Sequence, residues 1–167
     1  MRRTLKNDKI GIGDKMFILI ILATFLMDQA SKAAVQLWMY QGESLPIIPG
    51  IFHLTYIRNP GAAFGLMAYQ TPVLVAISLI LLVGVVLGYR YIKTGGPLLR
   101  YGLSLVVGGA LGNLTDRLRY GSVVDFLDFR VWPVFNLADV AIVIGAGLLI
   151  LDLIRTKYSE QDKESEV

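Results

Sequence analysis

Four long apolar runs constrain this chain more than any other feature, at about residues 16–37, 72–91, 97–116 and 138–153. A helix needs ~20 largely apolar residues to cross the hydrocarbon core of a bilayer. The 167 residues are 54% apolar and 17% charged, against about 45–50% and about 25% in an average soluble domain. The pattern predicts a single integral membrane domain: an all-α bundle of four transmembrane helices whose apolar faces are covered by lipid. The first run follows Arg2, Arg3, Lys6, Lys9 and Lys15 in the manner of a signal peptide. It continues in a helix-compatible pattern through Leu37, however, which makes it a span. Pro72 suits a first helical turn, where a missing N–H does no harm, and Gly95-Gly96 separates the second run from the third.

Charge sets the expected orientation. Four spans put both termini on one side. The amino-terminal segment, the loop with Arg90, Lys93 and Arg100, and the tail with Arg155, Lys157 and Lys163 hold eleven of the 16 basic residues. The positive-inside rule puts that side in the cytoplasm, so segments 38–71 and 117–137 face outward. The mixed-charge tail 158–167 is expected to be solvated and disordered. Gly84 with Gly88, and Gly108 with Gly112, are spaced to let helices approach closely.

The outer segment 44–64 is not a span. It is rich in Ile, Phe, Tyr and Thr and broken by Pro46 and Pro49, which predicts a small extracytoplasmic β-sheet segment. Asn59-Pro60-Gly61 fits a tight turn. The chain has no cysteine, which excludes disulfides, thiol catalysis and thiolate metal sites, and a single histidine, His53. The basic residues flank apolar runs, so they mark topology and imply no nucleic-acid partner.

This topology brings polar groups from separate stretches to one membrane depth. Asp28 lies about 18 Å into the first span, with Lys32 one turn further on. Asn113, Asp116 and Arg117 end the third span, Asn136 and Asp139 start the fourth, and Asn59 and Asp125 lie in outer segments. Ionisable groups at such depth mark function by default. Plainer roles compete. Asp28 and Lys32 form either a structural ion pair or part of a site. Asp116 and Arg117 are expected to pair at the interface or cap the third helix. Asn136 suits an N-cap, with Asp139 a first-turn acid favoured by the helix dipole. No such role covers Asp125. Asp128 is expected to be a solvated loop residue. Serine catalysis lacks a base: Ser31 adjoins Lys32, and neighbours do not face each other on a helix. A metal site at Asp125 and Asp139 lacks histidine support, so no metal or cofactor is expected. Two carboxylates at one membrane face instead suit a shared proton.

The ordered blocks Asp28-Gln29-Ala30-Ser31-Lys32, Arg58-Asn59-Pro60-Gly61-Ala62-Ala63-Phe64, Gly108-Gly109-Ala110-Leu111-Gly112-Asn113-Leu114-Thr115-Asp116-Arg117, Val123-Val124-Asp125-Phe126 and Phe135-Asn136-Leu137-Ala138-Asp139 resemble the lipoprotein signal peptidase (signal peptidase II) family over about residues 16–155. Pro60 stands where that family more often has a small polar residue. The resemblance implies a bacterial inner-membrane aspartic protease that cuts a prolipoprotein N-terminal to a cysteine already carrying diacylglycerol. Asp125 and Asp139 match the family's catalytic aspartates. Asn59, Asn113, Arg117 and Asn136, with Gly61 in the same block as Asn59, match positions lining or supporting the site. Asp28, Lys32 and Asp116 match structural polar positions. The implied partners are a lipidated prolipoprotein and membrane lipid, the protein acting as a monomer. The wall of the site is expected from the outer helix ends and segment 44–64, with Asn59 and Phe64 near the rim.

A second class of function uses the same aspartates as a proton or cation path through a small transporter. A path should place polar residues at several depths, whereas the inner halves of the second, third and fourth runs are almost wholly apolar.

Overall fold

The computed structural model describes residues 11–61 and 70–165; Phe64 and the basic residues Arg2, Arg3, Lys6 and Lys9 lie outside them. The elements in order are α1 (Ile12–Trp38), β1 (Ser44–Ile48), β2 (Phe52–Asn59), α2 (Thr71–Thr94), α3 (Pro97–Tyr120), β3 (Val123–Asp128) and α4 (Leu137–Ser165). Among the described residues, three helices are long and apolar enough to cross a membrane: α1, α2 and the Leu137–Tyr158 part of α4. The fourth long helix, α3, has 24 residues but carries four glycines and several polar groups along its length.

That composition is what a central helix requires. α3 is the most buried helix and packs against α1, α2 and α4. Its glycines remove the side chains that would hold the neighbours away. A Cβ at Gly109 would lie 2.5 Å from the Ala138 carbonyl oxygen of α4, and one at Gly112 would collide with the Asp28 carboxylate of α1. Gly96 and Pro97 begin the helix, and Gly121 ends it in the left-handed conformation at φ 70°, a geometry that glycine adopts without strain. The Gly84/Gly88 pair differs from Gly108/Gly112. Nothing outside their own helix lies within 4 Å of a Cβ built at either one, so they pack no helix here. α2 is instead tied to the start of α1 by Asp14, which accepts from the Tyr89 hydroxyl at 2.8 Å and pairs with Lys93 at 3.2 Å.

The sheet is antiparallel in the order β1-β2-β3. Its third strand was not foreseen from sequence, because Val123 to Asp128 presents buried residues at almost every position and so lacks a period of two. The inner face rests on the end of α1 through Val35, Met39, Tyr56, Val124 and Phe126. Two further expectations change. The end of the chain is helical through Ser165; its Lys, Glu and Gln residues are good helix formers and continue α4 without a break. Asp128 is not a solvated loop residue but a buried member of β3, held by the Thr55 hydroxyl at 2.6 Å and by Arg130 at 3.0 Å.

Candidate active site

The start of α4 builds one half of the site. Asn136 is the N-cap: its Oδ1 accepts from the Asp139 N–H at 2.9 Å, and Asp139 Oδ2 accepts from the Asn136 N–H at 3.2 Å. This reciprocal cap satisfies two orphan donors of the first turn and locks both side chains. It leaves Asp139 Oδ1 free to accept from Asn113 Nδ2 at 2.8 Å, and Asn136 Nδ2 free to donate to Asp125 Oδ1 at 2.6 Å.

The sheet builds the other half. Pairing of β2 with β3 sets Ile57 opposite Asp125 and Asn59 opposite Val123. Asn59 can then donate to Asp125 Oδ2 at 2.9 Å, while its own Oδ1 accepts from the Gly61 N–H at 3.0 Å. Each oxygen of Asp125 and of Asp139 thus receives one N–H. Neither carboxylate has an ion pair among the described residues.

Behind this pair lies a cluster of opposite character. Asp28, Lys32 and Asp116 are 0%, 1% and 2% exposed. The Lys32 ammonium contacts Asp28 at 2.9 Å, Asp116 at 3.0 Å and Asn113 Oδ1 at 3.0 Å. Gln29, whose amide donates to Asp28, Asp116 and the Gly112 carbonyl, fills the space between the two acids. No buried side-chain nitrogen or oxygen is left without a partner among the described residues, as a polar cluster at this depth requires.

Asp125 and Asp139 border one cavity of about 550 Å³, together with Asn59, Gly61, Asn113 and Arg117. Its remaining wall is apolar, from Val123, the 132–135 loop and Val140 to Ile144 on α4. Arg117 donates to the Gly61 carbonyl at 3.2 Å. Burial, followed by the charge of Asp139, pushes the Asp125 carboxyl up from an ordinary 3.8 to about 7. Two such carboxylates facing one cavity can hold a single proton between them near neutral pH. No set of three acid or histidine side chains is placed to hold a metal ion among the described residues.

A family model described as Signal peptidase (SPase) II matches residues 20–155. The chain is 58% identical to the lipoprotein signal peptidase of Pelotomaculum thermopropionicum, over 89% of this chain and 99% of that one. It belongs to the signal peptidase II family. A second relative, the lipoprotein signal peptidase of Moorella thermoacetica, is 51% identical over 89% and 98% of the two chains. A solved structure titled as a bacterial membrane enzyme superposes with a TM-score of 0.79 at 34% identity, over 86% of this chain and 90% of that one.

Membership in signal peptidase II makes the chain an aspartic endopeptidase that processes lipoproteins, and the transporter reading is set aside. Within this family member the structure draws together all ten residues singled out from sequence, in two groups. Asn59, Gly61, Asn113, Arg117, Asp125 and Asp139 line the cavity. Asn136 bridges Asp125 to Asn113. Asp28, Lys32 and Asp116 stand behind. One expectation about them is corrected: Asp116 and Arg117 do not pair. Adjacent residues on a helix point in different directions, so Asp116 turns inward to Lys32 and Arg117 turns to the cavity. Of the expected wall, the ends of α3 and α4 and, from segment 44–64, Asn59 and Gly61 line the cavity, and the 132–135 loop adds to them. Gln29 was missed. Its position beside Asp28 in a matched block was the only signal, and sequence does not show that its amide reaches α3.

Proposed function

We propose that Asp125 and Asp139 are the catalytic dyad, and that the enzyme removes the signal peptide from diacylglyceryl-modified prolipoproteins on the N-terminal side of the lipidated cysteine. The observation that carries this is the pair of carboxylates on one largely apolar cavity, each gripped by neutral amides and neither neutralised by a cation. Asp125, with its raised affinity for a proton, starts protonated and polarises the scissile carbonyl. Asp139, the partner carboxylate, takes a proton from a water between the two. The resulting tetrahedral intermediate collapses as Asp139 passes that proton to the leaving amine, and Asp125 recovers its own. No covalent enzyme intermediate forms. Asn59, Asn113, Asn136 and Arg117 orient the pair and the substrate backbone.

The protein spans the bacterial inner membrane four times, α3 included, with both termini cytoplasmic and the dyad at the extracytoplasmic face. α3 crosses because its neighbours, rather than lipid, cover most of it. The signal peptide and the diacylglyceryl chains then anchor the substrate at one depth, at about 0.8 kcal/mol per buried CH₂. The apolar cavity wall suits those chains. Anchoring at two points holds the scissile bond against the dyad, which lowers the barrier through positioning. The enzyme acts as a monomer without a cofactor.

Matched lipidated and unlipidated prolipoproteins, incubated with the purified enzyme and read by product mass, test this. Cleavage of the lipidated form alone, immediately before the cysteine, is expected. Equal cleavage of the unlipidated form removes the lipid requirement. Loss of activity on chelation, restored by added metal, replaces the aspartic mechanism.

A further inference from the structure

The buried cluster reaches the dyad by a route beyond simple support. Each of its acids grips the peptide N–H just before one dyad aspartate. Asp116 Oδ2 accepts from the Val124 N–H at 3.1 Å, and Asp28 Oδ1 accepts from the Ala138 N–H at 3.0 Å. The two strands of chain that carry Asp125 and Asp139 are therefore pinned to two carboxylates held by a single ammonium. Lys32 contacts one oxygen of each acid, and its third contact is Asn113 Oδ1. An ammonium has three donors and no acceptor, so all three are committed.

The third contact determines how Asn113 sits. An ammonium can meet only the oxygen of that amide. The NH₂ of Asn113 is thereby turned towards Asp139 Oδ1, at 2.8 Å. The Asn113 oxygen also accepts from Asn136 Nδ2 at 3.2 Å, and Asn136 Nδ2 lies 2.6 Å from Asp125. With the amide reversed, Asn113 would present an oxygen to the Asp139 carboxylate and NH₂ to Lys32, which is repulsive at both ends.

We propose that Lys32 is a positioning residue for the dyad: it sets the amide orientation of Asn113 and, through Asp28 and Asp116, fixes the two backbones that carry Asp125 and Asp139. This rests on the assignment of that dyad. Charge supplies an independent reading of the same residue. Asp125 is faced by Asp139 from α4, Arg117 from α3 and Lys32 from α1, while β2 contributes the neutral Asn59. Burial and the Asp139 charge raise Asp125, and the charge of Lys32 acts in the opposite direction. Loss of Lys32 therefore moves the proton affinity of Asp125 further up.

The test compares Lys32→Met with the double variant Lys32→Met/Asp28→Asn, because the single change leaves two buried carboxylates uncompensated and is at risk of unfolding. The double variant returns the net charge of the cluster to its original value, and an asparagine oxygen still accepts from Ala138. Melting temperature, kcat, KM and the pH profile are measured in detergent on lipidated prolipoprotein, beside Asp125→Asn. The folded double variant is expected to lose at least tenfold in kcat with KM within about twofold, and its alkaline limb is expected to move to higher pH. Near-normal kcat with an unshifted profile in that folded variant overturns the proposal, leaving Lys32 a fold residue only. If that result accompanies an inactive Asp125→Asn, the dyad stands and only the role of Lys32 falls. An active Asp125→Asn removes the dyad, and the positioning role with it.

Discussion

Asp28 and Asp116 occupy one buried cluster, Asp125 and Asp139 border a cavity a few residues away, and the same side chain has opposite fates in the two places. Behind the cavity, one ammonium and several N–H donors saturate two carboxylates that are almost fully buried. At the cavity, the hydrogen bonds to the two carboxylates come from amide donors among the described residues, and neither carboxylate has an ion pair there. An acid paired with a buried cation serves as a brace. Asp125, held by neutral amides beside a second acid, has its proton affinity raised to near neutral pH and is suited to chemistry. Charge pairing, rather than depth, separates brace from reagent.

Several substitutions can break that contrast. Asp125→Asn or Asp139→Asn should each reduce turnover by about 10²–10⁴-fold, the range of a general acid or base, with melting temperature little changed. Near-normal turnover in either would move the chemistry elsewhere. Asp116→Ala should act in the opposite sense, on folding first. Removing one partner from a buried ion pair costs about 3–5 kcal/mol, so the yield of folded protein and its melting temperature should fall together. An Asp116→Ala protein as stable as the parent would make the brace dispensable.

Smaller effects sharpen the contrast. Arg117→Ala should cost about 1–3 kcal/mol in turnover or stability, as for a charged hydrogen bond, through loss of its link to Gly61 and of a cation at the cavity. An alanine scan ranking Arg119 or Arg130 above it would refute this. In pH, Asp125 binds its proton more tightly when folded than its ordinary value of 3.8. Its contribution to stability is therefore full below about pH 4 and is lost as pH rises through about 7. Activity should fall over the same alkaline range, since the protonated form of Asp125 is the one that polarises the scissile carbonyl. Asn59→Ala removes a hydrogen bond that lowers Asp125, so the limb should move to higher pH; an unmoved or lowered limb would assign it to another group. Asp128→Asn should be the mildest in turnover, because that acid braces β2 and Arg130 and does not border the cavity. A loss there equal to that of Asp125→Asn would mean the wrong acid had been chosen.

Much of this molecule is legible in one dimension, because membrane helices announce themselves by length and apolarity. The helices α1, α2 and α4 and the Asn136 cap obey local rules. The convergence of the polar residues was an expectation of the four-span reading, since spans of fixed length carry their ends to predictable depths. Plainer structural roles for Asp28 and Asp116 pointed to Asp125 and Asp139 among the four acids, and the resemblance to a family matched that choice.

What sequence could not decide was pairing. Asp116 and Arg117 are neighbours in the chain and part company in space, one to Lys32 and one to the cavity. Asp128 looks like Asp125 three residues earlier, yet the register of β3 against β2 sets it opposite His53, at the far end of the strand. Gly84 and Gly88 carry the spacing of a helix contact and face none, while Gly109 and Gly112 let α4 and α1 close on α3. Local spacing establishes which side chains share a face and a depth. Which partner each one meets depends on how closely the helices approach and on the register of a strand 66 residues along the chain from its neighbour (Arg58 with Val124). Those are properties of the assembled fold, and they alone turn two of four similar acids into a brace and two into a candidate catalytic pair.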